Sequence, residues 1–179
     1  MNKIFIFLKL IRLQNLIMIA LTQYLIKIFI LDVRYIKETA LSDAFFFFLV
    51  LSTILIAAGG YIINDIFDVN IDLINKKERV IIGKHISKKT ALYWYKSFNI
   101  ISLIIGGSIC WEIEKISFFI IFVYCIFGLW IYAKNMKKMF LIDNLHISFL
   151  TALSIINVAL FDLLAVLDRT EENHLAITE

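Results

Sequence analysis

Apolar residues run in long blocks along this chain, and the polar residues collect between the blocks. A membrane-crossing helix needs about 20 mainly apolar residues. Five blocks meet that requirement: roughly Leu10–Leu31, Ala44–Ile63, Ala91–Trp111, Ile116–Ala133 and Phe140–Leu164. Ala44–Ile63 is the cleanest, with no charge in twenty residues. The first block is too long for a secretory signal, lacks a clear small-residue cleavage site and is interrupted by Gln14, Asn15, Thr22 and Gln23, so it reads as a retained span. The pattern predicts an all-α polytopic membrane helix bundle of about five transmembrane helices, in a single membrane domain over residues 1–179.

Composition agrees. Hydrophobic residues make up 61% of the chain, against about 45–50% in soluble domains. Charge alternates from one connection to the next. Lys3, Lys9 and Arg12 precede the first span. Lys76, Lys77, Arg79, Lys84, Lys88 and Lys89 follow the second, and Lys134, Lys137 and Lys138 follow the fourth. The opposite connections are mixed or acidic. Because Lys- and Arg-rich loops stay in the cytoplasm, the N-terminus is expected inside and the C-terminus outside, in a bacterial inner (cytoplasmic) membrane. Basic residues that flank spans serve topology, so no nucleic-acid partner is expected. Cys110 and Cys125 have no metal-like spacing and read as packing residues.

A cluster of opposite character stands where the second block ends, in "YIINDIFDVNID" at 61–72. Each helical residue advances about 100°. From Asn64, the side chains of Asp68, Asp72 and Asp65 fall at about 40°, 80° and 100° on that rotation, so all four share one arc. Carboxylates so close repel and call for a positive partner. Mg²⁺ prefers oxygen ligands and commonly uses one or two carboxylates plus substrate phosphates. Lys76, Lys77, Arg79 and Lys84 follow closely and suit phosphate contacts. A Mg²⁺-bound diphosphate with an apolar tail in the bilayer fits both signs of charge. A solvated helix end with ordinary topology lysines is the bland reading.

"NDIFDVNID" resembles the N-D-x-x-D-x-x-x-D motif of the UbiA-type intramembrane prenyltransferases. "NKKERVIIGKHIS", "IRLQNLIMIALTQYLIK" and "YAKNMKKMFLIDNLHISFLTALS" resemble other stretches of that family. The resemblance covers essentially the whole chain and looks most like geranylgeranylglycerol-phosphate geranylgeranyltransferases. It implies Mg²⁺-dependent transfer of a polyprenyl group from a polyprenyl diphosphate to a lipid or aromatic acceptor within the bilayer. Hydroxybenzoate or naphthoate acceptors are the close alternative. By the same resemblance Asp65, Asp68 and Asp72 are catalytic and, with Asn64, hold the metal. Asn15, Asn64, Arg79, Tyr132, Lys134 and Asn144 would contact substrate.

The family fold has nine helices and a second aspartate-rich motif, which these residues lack. The chain therefore resembles the N-terminal half, which fits a fragment, a truncated product or one piece of an enzyme completed by a second polypeptide. A membrane protein that only binds prenyl diphosphate or a partner is the non-catalytic alternative. Leu13 and Val80 stand where relatives usually have proline. Remaining polar residues receive structural readings. Lys27 and Lys96 would snorkel, His146 would be a hydrogen-bonded packing residue, His85 would face solvent, and Asn157 would bond another helix. Gly59, Gly60, Gly106 and Gly107 would serve close helix packing, and Phe45–Phe48 would be apolar filler facing lipid.

Overall fold

The computed structural model describes residues 2–32, 41–75, 78, 80–135 and 141–164. Helix α1 (Lys3–Leu10) begins where the Asn2 side chain accepts the Ile4 N–H at 3.2 Å, a standard N-cap. It stops at Ile11, and Arg12 takes a left-handed conformation at φ 52°. The first span therefore starts at α2 (Leu13–Ile26) rather than at Leu10, and a π-helical turn, Lys27–Leu31, extends it. Helix α3 (Asp43–Asn75) is unbroken over 33 residues. Ser87 caps α4 (Lys88–Glu112) by accepting the Thr90 N–H. A 3-10 turn, Ile116–Phe118, leads into α5 (Phe119–Lys134). Helix α6 (Ile142–Ala159) ends in a second π-helical turn, Leu160–Leu164.

Among the described residues, four helices are long and apolar enough to cross a membrane: Leu13–Leu31, Asp43–Asn75, Ile116–Lys134 and Asn144–Asp162. The remaining expected span, α4, has 25 residues and a length of about 37 Å. Tyr93, Trp94, Tyr95, Lys96 and Asn99 crowd its first half and lower its hydropathy.

Helices α3 and α4 form the most extensive pairing of the bundle. Small residues permit the approach, as is usual between membrane helices. A Cβ on Gly59 would lie 3.1 Å from Asn99 Oδ1, one on Gly60 2.8 Å from Leu129, and one on Gly106 2.8 Å from Phe122. The packing reading of these three glycines holds, whereas Gly107 has room to spare, with Phe119 at 3.8 Å. Ser52 Oγ adds a cross-helix bond by donating to the Ser102 carbonyl at 3.2 Å.

Apolar packing concentrates at two ends. One cluster joins Ile6 and Leu10 to Ile62, Ile63, Ile82, Ala91 and Ala133. The other joins Leu31, Leu41 and Phe46 to Ile113, Phe122, Val158 and Phe161. The first brings the N-terminus, the end of α3, the start of α4 and the end of α5 together. These are the segments beside the basic connections, as the charge pattern requires. The 80–86 loop turns at Gly83, whose φ of 91° suits glycine, and tucks Ile81 and Ile82 into that cluster.

Candidate functional site

The acidic arc of α3 emerges next to the break between α1 and α2. Arg12 Nη2 donates to Asp65 Oδ1 at 3.3 Å, and its guanidinium lies 4.8 Å from the centroid of the Tyr61 ring. Asn15 Nδ2 donates to Tyr61 Oη at 3.2 Å. On α3 itself, Asn64 Nδ2 donates to Asp68 Oδ2 at 3.1 Å, the neighbour relation expected one helical turn apart. The left-handed Arg12 places its own side chain and Asn15 against the same stretch of α3.

Behind this polar mouth lies a cavity of about 360 Å³ between α2, α3, α5 and α6, within the usual size range of ligand pockets. Arg12, Tyr61, Asn64 and Tyr132 line one end. Ile56, Phe122, Leu129 and Leu150 line the body, and Thr53, Ser154 and Asn157 line the other end. From Asn64 back to Thr53 the helical rise is about 16 Å. Asp65 and Asp72 face a different space, a hollow of about 20 Å³ under Val80, Ile81 and Ile82. The arc read from helical periodicity is thus real but divided. Its width spans two neighbours, so Asn64 reaches the large cavity while Asp65 and Asp72 reach the loop.

Tyr132 lies on the cavity wall, its ring stacked at 12° on His146 with centroids 6.5 Å apart. His146 Nε2 sits 3.1 Å from the Gly128 carbonyl, so its N–H donates there, and the packing reading of His146 holds. Lys134 lies off the wall, its Nζ 4.7 Å from the centroid of the Trp130 ring. Asn144 is exposed near the start of α6, outside the lining. Arg79 lies outside the described residues. His85 is exposed, as read.

Three readings are corrected. Lys27 does not snorkel. It is buried, and its Nζ donates to Asp162 Oδ2 at 2.6 Å, with Asp32 at 3.6 Å. Asp162 also accepts the Leu41 N–H at 3.0 Å, so its charge is paired where water is excluded. Phe46 is not lipid-facing filler, since it is buried with Lys27 Nζ 5.2 Å from its ring centroid. Asn157 does not complete its bonding to another helix, because its buried Oδ1 has no hydrogen-bond partner. Arg12 is the residue that sequence reasoning missed, having been counted only as a topology signal. Its place at the edge of a span that also holds Gln14 and Asn15 was the available clue.

The donor set of the acidic face is entirely oxygen, from Asn64, Asp65, Asp68 and Asp72. Among the described residues no three of His, Cys, Asp and Glu are grouped to hold a metal ion. Such a face suits a hard cation held by one or two carboxylates and completed by phosphate oxygens, rather than an all-protein cage.

An apolar cavity with a polar mouth, in a bundle of bilayer-length helices, marks an integral membrane protein. The model of the UbiA prenyltransferase family matches residues 35–161, and the chain belongs to that family. Its curated relatives include digeranylgeranylglyceryl phosphate synthases. That of Sulfolobus acidocaldarius is 32% identical over 149 residues, covering 83% of this chain and 50% of the relative. That of Saccharolobus solfataricus is 44% identical over 101 residues, covering 56% and 34%. That of Sulfurisphaera tokodaii is 40% identical over 99 residues, covering 55% and 34%. A solved structure from work on digeranylgeranylglyceryl phosphate synthase in membranes superposes with a TM-score of 0.73 at 27% identity, over 90% of this chain and 54% of that one. The chain spans about a third to a half of the length of these relatives.

Proposed function

We propose that the chain provides the diphosphate-binding part of a Mg²⁺-dependent intramembrane prenyltransferase, acting on a polyprenyl diphosphate and a glycerol-phosphate lipid acceptor. The observation that carries this reading is the polar mouth of Arg12, Tyr61, Asn64 and Tyr132 on an apolar cavity, directly beside the three aspartates of α3. The isoprenoid tail lies along Ile56, Phe122, Leu129 and Leu150. The diphosphate stays at the mouth, where Arg12 exchanges Asp65 for a phosphate oxygen, an exchange eased by its exposure. Asn64, on the cavity lining, together with Asp65, Asp68 and Asp72 would hold the Mg²⁺. Mg²⁺, when bound, offsets the negative charge that grows on the departing diphosphate. Asn15 holds Tyr61 in place, Lys134 and Asn144 extend the positive and polar rim, and Arg79 is proposed as a further phosphate contact.

The relatives' name supports the acceptor, since it specifies a glycerol phosphate carrying two geranylgeranyl groups. The charge pattern supports a cytoplasmic mouth with the N-terminus inside. The organisms of those relatives are archaeal, which favours a cytoplasmic membrane in general over a bacterial inner membrane in particular. The matched share of the relatives supports further residues, on this or a second polypeptide, closing the cavity.

The test is calorimetric titration of the purified chain with geranylgeranyl diphosphate, with and without Mg²⁺. Mg²⁺-dependent binding is expected, and Asp68→Asn is expected to abolish it while shifting stability by less than about 0.5 kcal/mol, as for a substitution outside the core. Unchanged binding in that variant would sink the site assignment.

A further inference from the structure

The end of the cavity away from the mouth has a chemistry that an isoprenoid tail does not use. Thr53, Ser154 and Asn157 line it, about 16 Å of helix from the mouth. Asn157 is 5% exposed and Gln23, behind it, 1% exposed. Gln23 Nε2 donates to the Ser154 carbonyl at 2.6 Å and to Thr53 Oγ1 at 3.4 Å. Thr53 Oγ1 in turn donates to the Leu49 carbonyl at 3.0 Å, and Ser154 Oγ to the Thr151 carbonyl at 2.7 Å. The donors of Gln23, Thr53 and Ser154 are therefore engaged. Among the described residues, Gln23 Oε1 and Asn157 Oδ1 are both buried without a hydrogen-bond partner. Leaving such a group unpaired costs more than the net gain of an ordinary hydrogen bond. The charges at this end, Lys27 and Asp162, are spent on each other, so the open acceptors select a neutral donor rather than an anion or a cation.

We propose that Thr53, Ser154 and Asn157, backed by Gln23, form a second subsite that takes the hydroxyl of an uncharged amphiphile, its apolar body along Phe122 and Leu150. The donating O–H meets Asn157 Oδ1. The hydroxyl can come from a free isoprenoid alcohol or from the glycerol of a neutral lipid. A phosphate-bearing head is disfavoured at this end because its cation, Lys27, is buried and already spent on Asp162. The subsite stands on the cavity's own geometry and does not depend on diphosphate binding at the mouth.

The experiment measures binding of geranylgeraniol and of dioctanoylglycerol to the purified chain in detergent, each against its methyl ether. The ether keeps the apolar body but cannot donate. The hydroxyl form is expected to bind about three- to tenfold more tightly, the worth of one net hydrogen bond. Which of the two probes shows the larger preference identifies the source. Asn157→Leu is expected to erase the preference and to raise the melting temperature of the ligand-free chain, since it removes a buried unpaired amide of similar size. Equal binding of alcohol and ether in the unmodified chain overturns the proposal and leaves a trapped water as the partner of Asn157. A second reading uses no variant. A diazirine beside the hydroxyl of a photoreactive decanol is expected to label the segment 151–157, and labelling confined to the mouth, around Tyr61 and Asn64, also overturns the proposal. Neither arm uses diphosphate or Mg²⁺, so its failure is distinct from failure of the donor site.

Discussion

Arg12–Asp65 and Lys27–Asp162 both tie the N-terminal helices to the rest of the bundle, at opposite ends of the cavity. The first pair is 3.3 Å long with side chains 46% and 27% exposed, and the second is 2.6 Å long with side chains 6% and 0% exposed. An exposed pair is worth little and exchanges partners cheaply. A buried pair contributes modestly as a unit, but removing one partner strands a charge in a low-dielectric interior. Asp162 also holds the Leu41 N–H, and Phe46 covers Lys27, so at the far end this ion pair is itself fully bonded. The mouth is held by contacts that a ligand can replace. One chain therefore uses the same chemistry as a staple at one end and as a latch at the other, and exposure decides which.

The largest expected effect is at the staple. Lys27→Met leaves Asp162 buried without its cation and is expected to cost about 3–5 kcal/mol, read as a large fall in melting temperature in a fixed detergent. Lys27→Met combined with Asp162→Asn removes both charges but keeps an acceptor for the Leu41 N–H, and is expected to recover most of that loss. An unchanged melting temperature in the single variant would erase the distinction between the ends. Next comes the latch. Arg12→Ala is expected to cost less than about 1 kcal/mol of stability, yet to weaken geranylgeranyl diphosphate about tenfold, the worth of one charge-assisted bond. Equal losses of stability at Arg12 and Lys27 would show that both are staples. The smallest effect comes from salt. Raising ionic strength from about 0.05 to about 0.5 M is expected to weaken diphosphate binding a few-fold, because exposed charges are screened. Salt should leave the melting temperature difference between the Lys27 variant and the unmodified chain in place.

The parts readable from the chain were the local ones. Block length gave the helices, and the 3.6-residue period placed Asn64, Asp65, Asp68 and Asp72 on one side of α3. Loop charge brought the ends of the right segments together. Each of these depends on neighbours within a few turns. The pairings were not readable for the opposite reason. Arg12 meets Asp65 across 53 positions and Lys27 meets Asp162 across 135, and nothing local marks either partner. Lys27 near a span end has the pattern of a snorkelling lysine, and only the arrival of Asp162 changes its role. The divided acidic arc has the same cause, since periodicity gives direction but not what stands opposite. Asn157 was read as a bonded residue because most buried amides are, and its unpaired oxygen emerges only when α2, α3 and α6 are placed around it.

The continuity of α3 has a mechanical consequence. Its 33 residues form a rod of about 50 Å, against a hydrocarbon layer of about 30 Å. With Ala44–Ile63 filling that layer, the carboxylates ride on the overhang, at a height set by the rod and not by a hinge. The helix acts as a ruler. In a thicker bilayer the apolar stretch stands more upright and the headgroup plane rises toward Asp68, while in a thinner one the rod tilts and the carboxylates swing sideways over the lipid surface. Bilayer thickness becomes a setting of the site, dialled by the membrane in which the chain resides.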